Sequence, residues 1–137
     1  MLALPKYQEI LEDLKPYDAR LVAVSKTKPV YEIRELYERG QRIFGENRVE
    51  ELREKQPQLP DDVEWHMIGH LQRKKVKYIA PFISLIHSGD SSRLLKEIDK
   101  RAANEERTID VLLQFKIAEE ESKYGLDFPE AEAFLQS

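Results

Sequence analysis

Residues 20–46, "RLVAVSKTKPVYEIRELYERGQRIFGE", decide the fold class, because they read as one strand–helix–strand unit. Leu21–Ser25 is a short apolar run, expected to be a strand buried on both faces. "VYEIRELYERG" then sets Ile33, Leu36 and Tyr37 on one helical face, and Gly40 suits the left-handed residue that ends a helix. Arg42–Phe44 starts a second strand. Two strands joined through a helix favour a parallel pair with a right-handed crossover. The first strand runs into two lysines, Lys26 and Lys28, ahead of Pro29. Strand alternation puts Lys26 on the side of Val22 and Val24, at the mouth of an apolar surface. An amine buried there loses stability as an ammonium, which is what a lysine that forms a Schiff base needs; the plainer alternative is a solvated loop lysine. Lys28, held extended by Pro29, points further out.

The same pattern continues along the chain. Further strand-like runs at Glu64–Ile68, Ile83–His87 and Ile109–Ile117 recur about every 20 to 25 residues, as βα units do. Between them lie "RVEELREK", with Val49 and Leu52 on one face, and "QRKKVKYIA", which stops at Pro81. "SSRLLKEIDKRAAN" carries a serine cap ahead of Leu94, Leu95 and Ile98. A helix over roughly Tyr7 to Leu14 precedes everything, and Pro129, Ala131, Phe134 and Leu135 begin another.

Such α/β alternation leaves an open doubly wound sheet or a (β/α) barrel. No Gly-x-Gly-x-x-Gly or P-loop pattern follows the first strand, which counts against a nucleotide-binding sheet. Barrels gather reactive groups where strands end. The five strand ends here, "SKTKP", "FGENRVEE", "HMIGHLQRKK", "IHSGDS" and "IAEEESKYG", are all crowded with polar and titratable residues. Five strands do not close an eight-stranded barrel, which takes about 250 residues. Either the sheet is open or the chain is part of a longer barrel.

Composition narrows the function classes. The chain has 137 residues, one domain at most, and no linker or repeat marks a second. Twenty-two basic and 26 acidic residues give a net charge of -4, with no global attraction to nucleic acid or an anionic membrane. Without cysteine there is no disulfide framework and no thiolate site. No apolar run is long enough for a signal peptide or a membrane span, so a cytoplasmic protein is expected.

Several other motifs have plainer readings than they first suggest. His66 and His70 in "HMIGH" stand in a strand and a turn, so the two imidazoles are not expected to share a face, and no metal site is expected. Arg73, Lys74, Lys75 and Lys77 sit on one short helix beside Tyr78 and Ile79, as a solvated face. Asn47 is a helix cap or a ligand-orienting amide. Glu119 to Lys123 reads as an exposed loop.

Taken together, "LVAVSKTKP", "GQRIFGENRVEE", "EWHMIGHLQRKKVKYIAPFISLIHSGDS" and "IDVLLQFKIAEEESKYGL" closely resemble the pyridoxal phosphate homeostasis protein family, from about Leu21 to Leu126. That family is related to the barrel domain of alanine racemase. The resemblance implies a (β/α)8 TIM barrel, of which this chain holds about the first five βα units. Residues 1–137 are then the N-terminal portion of a single barrel domain that binds pyridoxal 5'-phosphate (PLP). It also implies PLP held as a lysine aldimine and a role in intracellular vitamin B6 supply, with PLP-requiring enzymes as recipients and no catalysis by the protein itself. Residue by residue, Lys26 matches the Schiff-base lysine and Asn47 a pocket residue. His87 and Ser88 match the next-but-one strand end, and Lys123 a second lysine near the mouth. The alternative, a PLP-dependent amino-acid racemase, needs an opposed proton carrier, which alanine racemase draws from a further domain and a partner subunit. The chain departs from the family at Lys74, where Asn is common, at Gly89, where Val is frequent, and at Lys116, an Asn position on a central strand. The serine-rich turn and "RIG" segment that grip the cofactor phosphate in the family do not occur in it.

Overall fold

In a computed structural model, which describes residues 4–116 and 125–136, the strand-like runs pair into one five-stranded sheet. Its strands are β1 (Ala23–Val24), β2 (Ile43–Glu46), β3 (Glu64–Met67), β4 (Ile83–Gly89) and β5 (Asp110–Leu113). Every pairing is parallel, and the spatial order β1-β2-β3-β4-β5 follows the chain. The α/β class with a parallel sheet is therefore as expected. The strand order also lacks the reversal point of a doubly wound sheet.

Helices α1 (Leu4–Leu14), α2 (Val30–Glu38), α3 (Val49–Lys55), α4 (Val76–Ile79), α5 (Ser92–Asn104) and α6 (Phe128–Leu135) accompany the strands. Single 3-10 turns follow α3 at Gln56–Gln58 and precede α4 at Arg73–Lys75. Helices α3 and α4, α4 and α5, and α5 and α6 touch in chain order, as right-handed crossovers on one face of a sheet require. Sequence signals mark their ends. Gly40 closes α2 with φ +107, and the Ser91 hydroxyl accepts the Leu94 N–H that opens α5.

The core lies between this helical layer and one face of the sheet. Phe44 and Trp65 are paired in register, their rings 6.1 Å apart, and Met67 and Ile86 continue the row. Ile33, Leu52, Val76, Ile79, Leu94 and Ile98 cover it from the helices. Burying such side chains, at about 1.5–3 kcal/mol each, is the main term holding the layers together.

Two strands are markedly shorter than the sequence reading. The first spans two residues, and Val24 is 53% exposed, because β1 is the sheet's edge and has a neighbour on one side alone. The fifth ends at Leu113, with Phe115 in an isolated bridge to Leu126. Lys116 is therefore an exposed residue beyond β5, the other edge of the described sheet, and not part of a central strand. Ile117 lies outside the described residues. Gly89 has a local reason. Between Ile86 and Gly89 two residues of β4 stand against one of β5, and a Cβ at Gly89 would stand 2.6 Å from Val111 Cγ1. Lys74 sits on the 3-10 turn, exposed.

Candidate functional site

The loop after β1 is shaped by two neighbouring elements. Alternation turns Ser25 to the helical side, where it is 4% exposed and its Oγ donates to Glu46 Oε2 at 2.5 Å. Lys26 faces the other way and is exposed. Among the described residues no hydrogen bond or ion pair engages its amine. Thr27 has φ +61, uncommon for a β-branched residue, and its N–H donates to Glu51 Oε2 at 2.9 Å. Lys28 is exposed, and its N–H closes the turn onto the Ser25 carbonyl.

Below this loop lies a buried charge cluster. Lys55, 5% exposed at the end of α3, donates to the Ser25 carbonyl at 2.9 Å, Glu46 Oε2 at 2.8 Å and Glu51 Oε2 at 2.9 Å. Glu46 is fully buried, and its Oε1 has no hydrogen-bond partner. Burial pushes the Glu46 carboxyl above its ordinary pKa, against the pull of its hydrogen bonds from Lys55 and Ser25. Glu51 moves the other way, lowered chiefly by its hydrogen bond from Lys55.

The sheet face opposite the core carries a second group. Val24, Gly45, His66 and Leu85 stand in register across β1 to β4. The buried His66 has Nδ1 3.1 Å from Nε2 of the half-buried His87. Burial lowers the pKa of both imidazoles, and at His66 the charge of His87 lowers it further. At 3.1 Å the two nitrogens share one proton when both rings are neutral.

Asn47, half-buried just past β2, lines a cleft of about 180 Å³ with Met67, His70, Gln72 and Lys75. Gly69 packs on its backbone so closely that a Cβ would lie 2.5 Å from the Asn47 carbonyl. Ser88 is buried, and its hydroxyl donates to the Gly69 carbonyl at 2.8 Å. Lys26, Asn47, His87 and Ser88 thus all stand toward the C-terminal ends of β1, β2 and β4, at one end of the sheet. Lys123 lies outside the described residues. His70 Nδ1 is 3.2 Å from Asp90 Oδ2, apart from His66, and no group of three metal-binding side chains occurs among the described residues. Lys75 bridges Glu50 at 2.6 Å, which takes one charge out of the basic cluster. A cavity of about 550 Å³ between α5, β5 and α6 includes none of the candidate residues. No described helix is long and apolar enough to cross a membrane.

Sequence reasoning passed over Ser25, Glu46 and Lys55, and set His66 aside with the metal motif. A signal for Lys55 was present. It follows the core residue Leu52 by three positions and Glu51 by four, which turns it inward beside a carboxylate.

A donor set of this kind fits PLP. It comprises the exposed Lys26 amine, the paired imidazoles of His66 and His87 on the sheet face opposite the core, and the Asn47 amide in its cleft with Met67 and His70.

No family model matches the chain. It is 46% identical over 110 residues to the pyridoxal phosphate homeostasis protein of Aquifex aeolicus, covering 80% of this chain and 48% of that one. Against the human protein of the same name the identity is 39% over 134 residues, covering 90% and 48%. Among solved structures, PipY of Synechococcus elongatus without PLP superposes with a TM-score of 0.89 at 36% identity, covering 98% of this chain and 63% of PipY. The same protein with PLP bound gives 0.83 at 36% identity, covering 96% and 61%. The chain spans about half the length of the curated relatives it matches.

Proposed function

Because this chain is a relative of the pyridoxal phosphate homeostasis proteins over about half of their length, we propose that it binds pyridoxal 5'-phosphate through Lys26 and serves cytoplasmic vitamin B6 homeostasis. Residues 1–137 are read as the N-terminal portion of a single (β/α)8 barrel domain, a reading supported by the sequential parallel strand order. The carrying observation is the contrast at Lys26: its amine is exposed and unpaired while Ser25 and Thr27 on either side are tied down. Bound there, the cofactor supplies an aldehyde, which a lysine amine takes up as a carbon–nitrogen double bond with release of water. Lys26 provides that amine. Asn47, His87 and Ser88 bound the space beside it, and Lys123 is a second amine near the mouth that accepts or hands on the cofactor.

Carriage fits better than turnover. The relatives are named for homeostasis, and a racemase needs a second proton carrier opposed to Lys26. PLP-requiring enzymes are the natural recipients. Mixing the protein with PLP should give a yellow absorbance band that Lys26→Ala abolishes. A band of equal strength in Lys26→Ala would defeat the proposal.

A further inference from the structure

Three charged side chains, none of which touches the Lys26 amine, end on the residues either side of it, two on backbone groups and one on the Ser25 hydroxyl. Lys55 spends all three ammonium protons: on the Ser25 carbonyl and on the carboxylates of Glu46 and Glu51. Glu46 accepts a hydrogen bond from the Ser25 hydroxyl. Glu51 reaches past Lys26 to the Thr27 N–H. The residues before and after Lys26 are thereby fixed from β2 and α3 at once.

Stability does not account for this arrangement. Burying an ammonium with a carboxylate costs several kcal/mol per ion in desolvation, and replacing such clusters by apolar groups is often neutral or stabilising. Glu46 even keeps one buried oxygen without a partner. What the cluster secures is one conformation of a loop whose Thr27 occupies a sparsely populated backbone region. The alternation then follows: Ser25 points in, Lys26 out over the sheet face.

We propose that Glu46, Lys55 and Glu51 are positioning residues that hold the Ser25–Thr27 backbone so that Lys26, and not Lys28, presents its amine to the cofactor. This rests on Lys26 being the cofactor-bearing lysine.

The experiment incubates the protein with PLP, reduces with borohydride, and maps the label by mass spectrometry. Amide hydrogen exchange is followed at Thr27 in parallel. Glu51→Ala removes the acceptor of the Thr27 N–H from a side chain that is 21% exposed, so the fold should survive. Lys55→Met removes the ammonium with little change of volume. Either variant should lower the label on Lys26 about tenfold or more and raise the share on Lys28, since misplacement of a reacting group by about 1 Å can cost 10²-fold. Glu51→Gln, whose amide oxygen accepts the same N–H, should restore the wild-type pattern, which a loss of general stability would not predict. Labelling of Lys26 within twofold of wild type in both Glu51→Ala and Lys55→Met would overturn the inference. If wild-type protein takes no label on Lys26, the cofactor reading itself fails and Thr27 exchange decides. Protection lost in both variants supports the positioning role, and unchanged protection overturns it.

Discussion

The outward direction of Lys26 is legible in the sequence, because alternation past Val24 leaves it one way to face, whereas its proposed role comes from the family resemblance. What alternation does not reveal is that burial plays little part. The amine is exposed on an edge strand, and its setting comes from the residues on either side. His66 and His87 show the reverse. Each looks ordinary in the sequence, and their 3.1 Å approach depends on the register of β3 and β4, which a local reading does not supply. Burial holds both imidazole pKa values below the ordinary 6.5. Such a depression adds stability that is present above the unfolded value and lost as pH falls through the folded one. Glu46, raised by burial, has the opposite sign, its contribution lost as pH rises. Comparing wild type with His87→Gln cancels Glu46. The urea midpoint of wild type should fall more steeply between about pH 7.5 and about pH 5.5, and parallel profiles would show that the pair is not buried as described.

At the scale of elements, the strands and helices are legible wherever one period runs cleanly. The 3.6-residue stripe of α5 and its serine cap appear where expected, as does the Gly40 stop of α2. Strand ends are less legible, because pairing partners set them. The edge position trims β1 to two residues, and the irregular register by Gly89 reshapes the end of β4. The cluster of Lys55 with Glu46 joins a helix to a strand nine residues away, and only the packing of α3 on β2 brings it about. The close contact of Gly69 with Asn47 is similar. Gly69→Ala would press a methyl onto the Asn47 carbonyl and should cost about 1–3 kcal/mol in urea unfolding. A loss near zero would mean that the two turns are not in contact.

For the whole molecule, the βα spacing carries the class and the parallel pairing, and sequential order emerges from the structure. Both outer strands of the described sheet have one open side, with Val24 and Leu112 about half exposed on them. Open edges with apolar side chains recruit other edges. Sedimentation velocity of residues 1–137 at increasing concentration should show species larger than a monomer, and Leu112→Lys should return the chain toward a monomer. A wild-type chain that stays monomeric throughout would mean that these edges are covered.

The proposed cofactor-bearing amine is decidable because Lys26 and Lys28 are separated by a single residue. Protein loaded with PLP, reduced with borohydride, digested and mapped by tandem mass spectrometry should carry the modification on Lys26, with Lys28 unmodified. Modification of Lys28 in place of Lys26, or an even spread over the surface lysines, would contradict it.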